Sequence, residues 1–258
     1  MQFFDYVESQ GIGTLTIMRE KALNALNEEL LAELETVLDG LDFDTLRCLL
    51  IRGQGTRAFA AGADIAAMAR LNSEQAQAFS AFGNRVMLKL QRLPVPTIAV
   101  VCGYALGGGC ELALACDLRL CSDNAVFGQP ETGLGILPGF GGTQRLSRLV
   151  GMGRAKQLIF SAANIDASEA FRIGLVNGVY PKEELFAQAE KLAARIAGNA
   201  PIAVRKAKES MERGCELDIE EAVETEAQLF SEVFGSRDQV EGLTAFLEKR
   251  PHRPYENR

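Results

Sequence analysis

The chain has 258 residues, 47% of them hydrophobic, a formal net charge of −7 and a single histidine. That length and apolar content can bury a substantial core, as one large domain or as a domain with a helical appendage. The acidic balance argues against generic nucleic-acid binding. No apolar run reaches the about 18 residues of a membrane span, and Met1-Gln-Phe-Phe-Asp-Tyr6 lacks the basic and apolar regions of a signal peptide, so a soluble, cytoplasmic protein without membrane partners is expected.

Two short apolar runs, Phe3 to Ser9 and Thr14 to Met18, flank Gln10-Gly-Ile-Gly13 as a hairpin would. Asn27 to Leu41 then places Leu30, Leu34, Val37, Leu38 and Leu41 on one face of an amphipathic helix. Cys48-Leu-Leu-Ile-Arg52 and Pro96-Thr-Ile-Ala-Val-Val-Cys102 have the length and β-branched content of buried strands. Strands and helices alternate through about residue 130, which indicates βαβ units and an α/β class. Beyond Gly153 the pattern turns helical: Arg154 to Ser161, Ala167 to Ile173, Glu183 to Ala197, Ile202 to Arg213, Ile219 to Phe234 and Asp238 to Lys249, with Leu175-Val-Asn-Gly-Val179 as the one strand-like exception. No internal repeat is visible.

Chemistry concentrates in Gly103-Tyr-Ala-Leu-Gly-Gly-Gly-Cys-Glu111, between the second buried strand and a short helical run from Cys110 to Cys116. Three glycines let backbone N–H groups approach a ligand, and at a helix start those groups lack intrahelical partners and carry the positive end of the dipole. An oxygen gaining negative charge would be stabilised there. Glu111 has two readings: a first-turn glutamate answering the dipole, or a proton carrier beside the anion site. Glu131, in Phe127-Gly-Gln-Pro-Glu131, bears on the choice. A seven-residue helix is only about 10 Å long, and the apolar runs Leu118 to Cys121 and Ala125 to Phe127, split by the turn-like Ser122-Asp-Asn124, can bring Glu131 back to face Glu111. Two carboxylates around one water suit acid/base work, because their surroundings can hold one charged and the other protonated.

A second small-residue stretch, Arg57-Ala-Phe-Ala-Ala-Gly-Ala-Asp-Ile65, follows the first buried strand. It reads either as close packing with Asp64 capping the next helix, or as a backbone donor near Ala63 that completes the anion site.

Composition removes rival chemistries. His252 lies near the end of the chain between Pro251 and Arg253, so Ser–His–Asp and Cys–His catalysis and His-rich metal sites are disfavoured. Neither a dinucleotide fingerprint nor a P-loop occurs. The six cysteines form no Cys-x-x-Cys pair and read as small core residues in a reducing compartment; Cys110, without a base or cation beside it in sequence, is not read as a nucleophile.

Phe59-Ala-Ala-Gly-Ala-Asp-Ile65, the run from Gly103 to Glu111, Phe127 to Glu131 and Leu137-Pro-Gly-Phe-Gly-Gly-Thr-Gln-Arg145 together resemble the enoyl-CoA hydratase (crotonase) family, over a span from Lys21-Ala-Leu-Asn-Ala-Leu-Asn27 to Thr244-Ala-Phe-Leu-Glu-Lys-Arg250. The resemblance implies an α/β fold, a spiral of ββα units over residues 1–198, followed by a helical trimerisation region over 199–258. It implies an acyl-CoA substrate, no cofactor, and a homo-oligomer, trimer or dimer of trimers. The N–H groups of Ala63 and Gly108 would polarise the thioester carbonyl, Glu111 would activate water and Glu131 would transfer the proton at Cα. Lys21, Ala22, Ala61, Asp64, Ile65, Gly139, Phe246 and Lys249 match positions that contact substrate or CoA, the last two often from a neighbouring part of the assembly.

The implied reaction is reversible hydration of a short-chain trans-2-enoyl-CoA, the acyl length resting on overall similarity and on the bulk of Met68, Leu71, Phe79 and Phe82. An enoyl-CoA isomerase, a branched-chain enoyl hydratase and a non-catalytic acyl-CoA- or RNA-binding scaffold are the alternatives. Two departures from the family pattern concern the nucleotide end: Glu20 stands where proline is usual, and Pro251-His-Arg-Pro-Tyr255 replaces a lysine-rich ending.

Overall fold

The computed structural model describes residues 1–258, apart from the side chains of Ala66 and Ala67. In chain order it contains β1 (Phe4–Ser9), β2 (Ile12–Ile17), α1 (Glu28–Asp39), β3 (Cys48–Gly53), β4 (Ala58–Ala61), α2 (Ile65–Met68), α3 (Ser73–Gln91), β5 (Thr97–Val101), β6 (Tyr104–Leu106), α4 (Gly108–Leu114), β7 (Leu118–Ser122) and β8 (Val126–Gly128). There follow α5 (Gly142–Val150), α6 (Met152–Ser161), β9 (Asn164–Asp166), α7 (Ala167–Arg172), β10 (Gly178–Tyr180), α8 (Leu185–Ala197), α9 (Pro201–Gly214), α10 (Ile219–Val233) and α11 (Arg237–Leu247).

The expected alternation of single strands with helices becomes a ββα repeat. β3, β5 and β7 lie side by side in a six-stranded sheet of order β1-β2-β3-β5-β7-β10, while β4, β6 and β8 line up in a four-stranded sheet of order β4-β6-β8-β9. Each turn of the chain therefore places one strand in each sheet before its helix, and the turns stack in parallel, with Ile51 beside Ala99 and Ile98 beside Leu118. The strands of the smaller sheet are three or four residues long, too short to carry a period of two, which is why they were not evident in the sequence.

The long strands read as unbroken apolar runs because both faces of their sheet are covered. Leu49, Ile51, Ala99 and Val101 join the main core. Cys48, Leu50, Ile98, Val100 and Leu120 turn to the other face, where Leu185, Ala189 and Ala193 of α8 pack on them. All six cysteines are free, and burial pushes the thiols of Cys48, Cys110, Cys116 and Cys121 up to about 12.

Most helices fall within two residues of the sequence expectation, each with a local reason. Asn27 caps α1 through Leu30 N–H, and Asp218 caps α10 through the N–H groups of Glu220 and Glu221. The strand expected from Leu175 begins three residues later. Gly174, at φ 78°, ends α7, and Leu175 N–H returns to the Ala170 carbonyl, so Leu175 and Val176 pack the core as a helix-ending turn and pairing starts at Gly178. The longest helix, α3, opens with a capping box between Asn72 and Gln75. Among the described residues no helix is long and apolar enough to cross a membrane.

Candidate active site

Successive turns of the repeat bring the glycine run beside the small-residue stretch. Leu26 N–H bonds the Gly62 carbonyl, and Asp64 N–H bonds the Leu26 carbonyl, a parallel bridge centred on Leu26 and Ala63. In that geometry the N–H of Ala63 itself points away from the Leu26 strand. It faces Gly108: a Cβ placed on Gly108 would lie 3.4 Å from Ala63 N. Gly108 opens α4, so its N–H has no intrahelical acceptor. Gly107, at φ 49°, makes the turn, and Gly109 packs so closely that a Cβ would overlap the Ala60 carbonyl. The Ala63 and Gly108 N–H groups, from adjacent turns, are thus brought close together.

Glu111 is 1% exposed and Glu131 8%. The Glu111 carboxylate does not serve its own helix: Oε1 accepts from Phe140 N–H at 2.8 Å and from Gly142 N–H at 2.7 Å, at the start of α5. The dipole it answers is that of α5. Burial outweighs these two bonds and, with repulsion from Glu131, raises the carboxyl from 4.5 to about 7. Glu131 sits in a short 3₁₀ turn, Pro130–Leu134, after β8, and burial raises its carboxyl too. Its Oε1 would be 2.6 Å from a Cβ on Gly107, so the residue beside the donor pair must be glycine for the carboxylate to reach it.

Several residues that hold the site escaped the sequence reading. Gln129, 1% exposed, sets its amide against Glu131; with the nitrogen assigned to that side by the hydrogen-bond network, it donates to Oε2 at 3.1 Å and Oε1 at 3.2 Å, and its place two residues before the glutamate was the available signal. Arg145 donates to the Phe140 carbonyl at 2.9 Å and to Gln91 at 2.9 Å, fixing the loop that grips Glu111. Gly139, expected to contact substrate or CoA, has its carbonyl held by Ser80 at 2.6 Å and Asn84 at 2.7 Å; its neighbours Phe140 and Gly142 donate to Glu111.

The remaining expected contacts divide into two groups. Lys21 and Ala22 lie exposed on a 3₁₀ turn, brought beside Ala61, Ala63, Asp64 and Ile65 by the Leu26 bridge and by the bond from Ala61 N–H to the Leu23 carbonyl. Asn24, buried at left-handed φ 56°, fastens this segment: it accepts from Arg19 N–H and donates to the carbonyls of Gln54 and Ala58. Asp64 pairs with Arg19 at 3.0 Å. Phe246 and Lys249 belong to the other group. Phe246 is 80% exposed on α11, whose hydrogen bonds run to the C-terminal tail through Asp238 and Glu241.

A buried carboxylate pair beside two backbone N–H groups near the start of a helix is an arrangement suited to acid/base chemistry. Residues 7–257 match the enoyl-CoA hydratase/isomerase family, and the chain belongs to it. It is 49% identical to the short-chain-enoyl-CoA hydratase of Clostridium acetobutylicum, over 98% of this chain and 97% of that one. It is 49% identical to the crotonyl-CoA hydratase of Syntrophomonas wolfei, over 94% of each. The crystal structure of an enoyl-CoA hydratase from Bacillus anthracis superposes with a TM-score of 0.95 at 39% identity, covering 100% of both chains.

Proposed function

We propose that the chain adds water reversibly to a short-chain trans-2-enoyl-CoA, giving the 3-hydroxyacyl-CoA, with Glu111 and Glu131 as the acid/base pair. The observation that carries the assignment is the placement of two buried carboxylates against the Ala63 and Gly108 donors; the names of the relatives support the substrate. The thioester oxygen would lie between the two N–H groups, which stabilise the negative charge that builds on it as the β-carbon is attacked. Glu111, ionised in a good fraction near neutrality, takes the proton of the attacking water, and Glu131 places a proton on the α-carbon. One oxyanion donor is worth roughly 10²–10³ in rate and a positioned acid or base roughly 10²–10⁴, so the reading calls on no cofactor.

Lys21, Ala22, Ala61, Asp64, Ile65 and Gly139 are proposed to contact the substrate or its CoA, and Phe246 and Lys249 to do so across a subunit boundary. Residues 199–258 form the trimerisation region in this reading, giving a trimer or dimer of trimers in the cytoplasm. Its support is the run of exposed apolar side chains on and beside α9 to α11, among them Met211, Ile219, Val223, Phe230 and Phe234.

The test follows the loss of conjugated-thioester absorbance with crotonyl-CoA in wild type, Glu111→Gln and Glu131→Gln. Each variant should lose at least about 10²-fold in kcat. Normal turnover in both would refute the two-glutamate mechanism, and an inactive wild type would refute the substrate.

A further inference from the structure

Three successive peptides join Gly139 to Gly142, and each has its carbonyl held by a neighbouring helix. The Gly139 carbonyl is fixed by Ser80 and Asn84 of α3, and the N–H of that same peptide, on Phe140, points to Glu111. The Gly141 carbonyl accepts from the N–H groups of Gln144 and Arg145, and its peptide partner, Gly142 N–H, is the second donor to Glu111. The middle peptide is held by a cation. Arg145 donates through Nη1 to the Phe140 carbonyl at 2.9 Å and through Nε to Gln91 Oε1 at 2.9 Å. A Cβ on Gly141, which sits at φ 97°, would overlap that Nη1, so glycine there lets the guanidinium lie over the loop.

Both of these side-chain bonds end on neutral oxygens, and the carboxylate that the Arg145 charge meets is Glu111, across the loop. Glu111 is buried and Arg145 half-buried, so water screens their attraction poorly. The other charged groups around Glu111 do not supply this. Glu131, from the 3₁₀ turn, has the same sign, and Cys110 on α4 is a neutral thiol, pushed up to about 12 by burial. Arg119 is bound to the carbonyls of Ala113 and Cys116 at the far end of α4. Arg85 and Lys89 of α3 pair with Glu35 and Asp39, and Arg148 of α5 with Glu216. Burial and Glu131 press Glu111 toward its neutral acid, while the two N–H groups and the guanidinium oppose them.

We propose that Arg145 is a positioning residue for Glu111: from behind the Phe140–Gly142 loop it supplies the positive charge that keeps this carboxylate a proton acceptor. The inference rests on the hydratase reading, in which Glu111 is the base. A protonated Glu111 cannot take the proton of the attacking water.

The experiment compares wild type, Arg145→Lys, Arg145→Gln and Gln91→Ala by kcat/KM for crotonyl-CoA from pH 5 to 9, and by ¹³C titration of the Glu111 carboxyl in the free enzyme. In Arg145→Gln the acid limb and the carboxyl titration should both move up by about one pH unit, the lower end of what a nearby opposite charge does. Below the limb, kcat/KM then falls about tenfold further than it does on the plateau. Arg145→Lys should return the limb to its wild-type position with the plateau still lowered, because an ammonium cannot serve both oxygens as the planar fork does. Gln91→Ala loosens the same side chain without removing its charge, and should lower the plateau with the limb in place. Should Arg145→Gln not fold, Arg145→Met carries the comparison. A limb and titration unmoved in the folded uncharged variant, or moved equally in Arg145→Lys, would overturn the proposal and leave the hydratase reading intact. An inactive wild type would sink that reading, and the titration, which needs no turnover, would still decide whether Arg145 holds the charge on Glu111.

Discussion

Replacing Glu111 by glutamine should abolish activity and at the same time stabilise the protein at neutral and alkaline pH. The folded-state value of Glu111 lies above its ordinary one, about 7 against 4.5. Its contribution therefore favours folding below the lower value and is lost as pH rises through the upper one. At 1.36 kcal/mol per unit, keeping this carboxylate charged above about pH 7 costs the native state about 3 kcal/mol. Glutamine removes that charge, and its amide oxygen can still accept the Phe140 and Gly142 N–H groups. For a chain of this size 1 kcal/mol moves Tm by roughly 2–4 °C, so Glu111→Gln should melt roughly 6–12 °C above wild type at pH 8. The gap should close toward pH 5, where the wild-type carboxyl is protonated when folded. Calorimetry or fluorescence melts of both proteins from pH 5 to 8.5, at one protein concentration, check this. A gap that does not change with pH, or a variant less stable than wild type at pH 8, would show that the desolvated carboxylate is not the source of strain.

The acid limb of kcat/KM in wild type should fall near pH 7, because in the proposed mechanism Glu111 must be ionised to accept a proton, and the carboxyl of Glu111, followed by ¹³C titration, should move to lower pH in Glu131→Gln, where the repelling charge is gone. Gly107→Ala would put a Cβ 2.6 Å from Glu131 Oε1 at a φ of 49°; kcat should drop by about 10²-fold while the circular dichroism spectrum is retained. Gly109→Ala, whose methyl would overlap the Ala60 carbonyl, should instead lower folding stability by about 3 kcal/mol, read as a shifted urea midpoint. Lys208 of α9, 7% exposed, bonds Asp117 at 2.8 Å and the Val95 carbonyl at 3.2 Å; Lys208→Met should cost about 3 kcal/mol by leaving Asp117 without its cation, and adding Asp117→Asn should recover part of it.

The candidate constellation could be picked out because its parts are chemically conspicuous in sequence: glycines where backbones approach, and carboxylates where a core should be apolar. The ββα repeat was not legible from residue patterning, since each turn buries a different set of side chains and its second strand, such as Tyr104–Leu106, is too short for a period to show. Among the residues that hold the site, Gln129 and Arg145 look in sequence like ordinary polar positions on a turn and a helix. Their roles arise only once the chain has folded and placed a carboxylate or a carbonyl opposite them.

The stacking of Gly109 on the Ala60 carbonyl gives the spiral an uncushioned seam, main chain against main chain. The spacing of the Ala63 and Gly108 donors is consequently a property of the scaffold's pitch, indifferent to which side chains the neighbouring turns carry. Glu111 and Glu131 are attached to that scaffold as separable parts. On the proposed mechanism, the grip on a thioester and the reaction performed on it can therefore vary independently, so that changing either glutamate would repurpose a holder that stays geometrically the same.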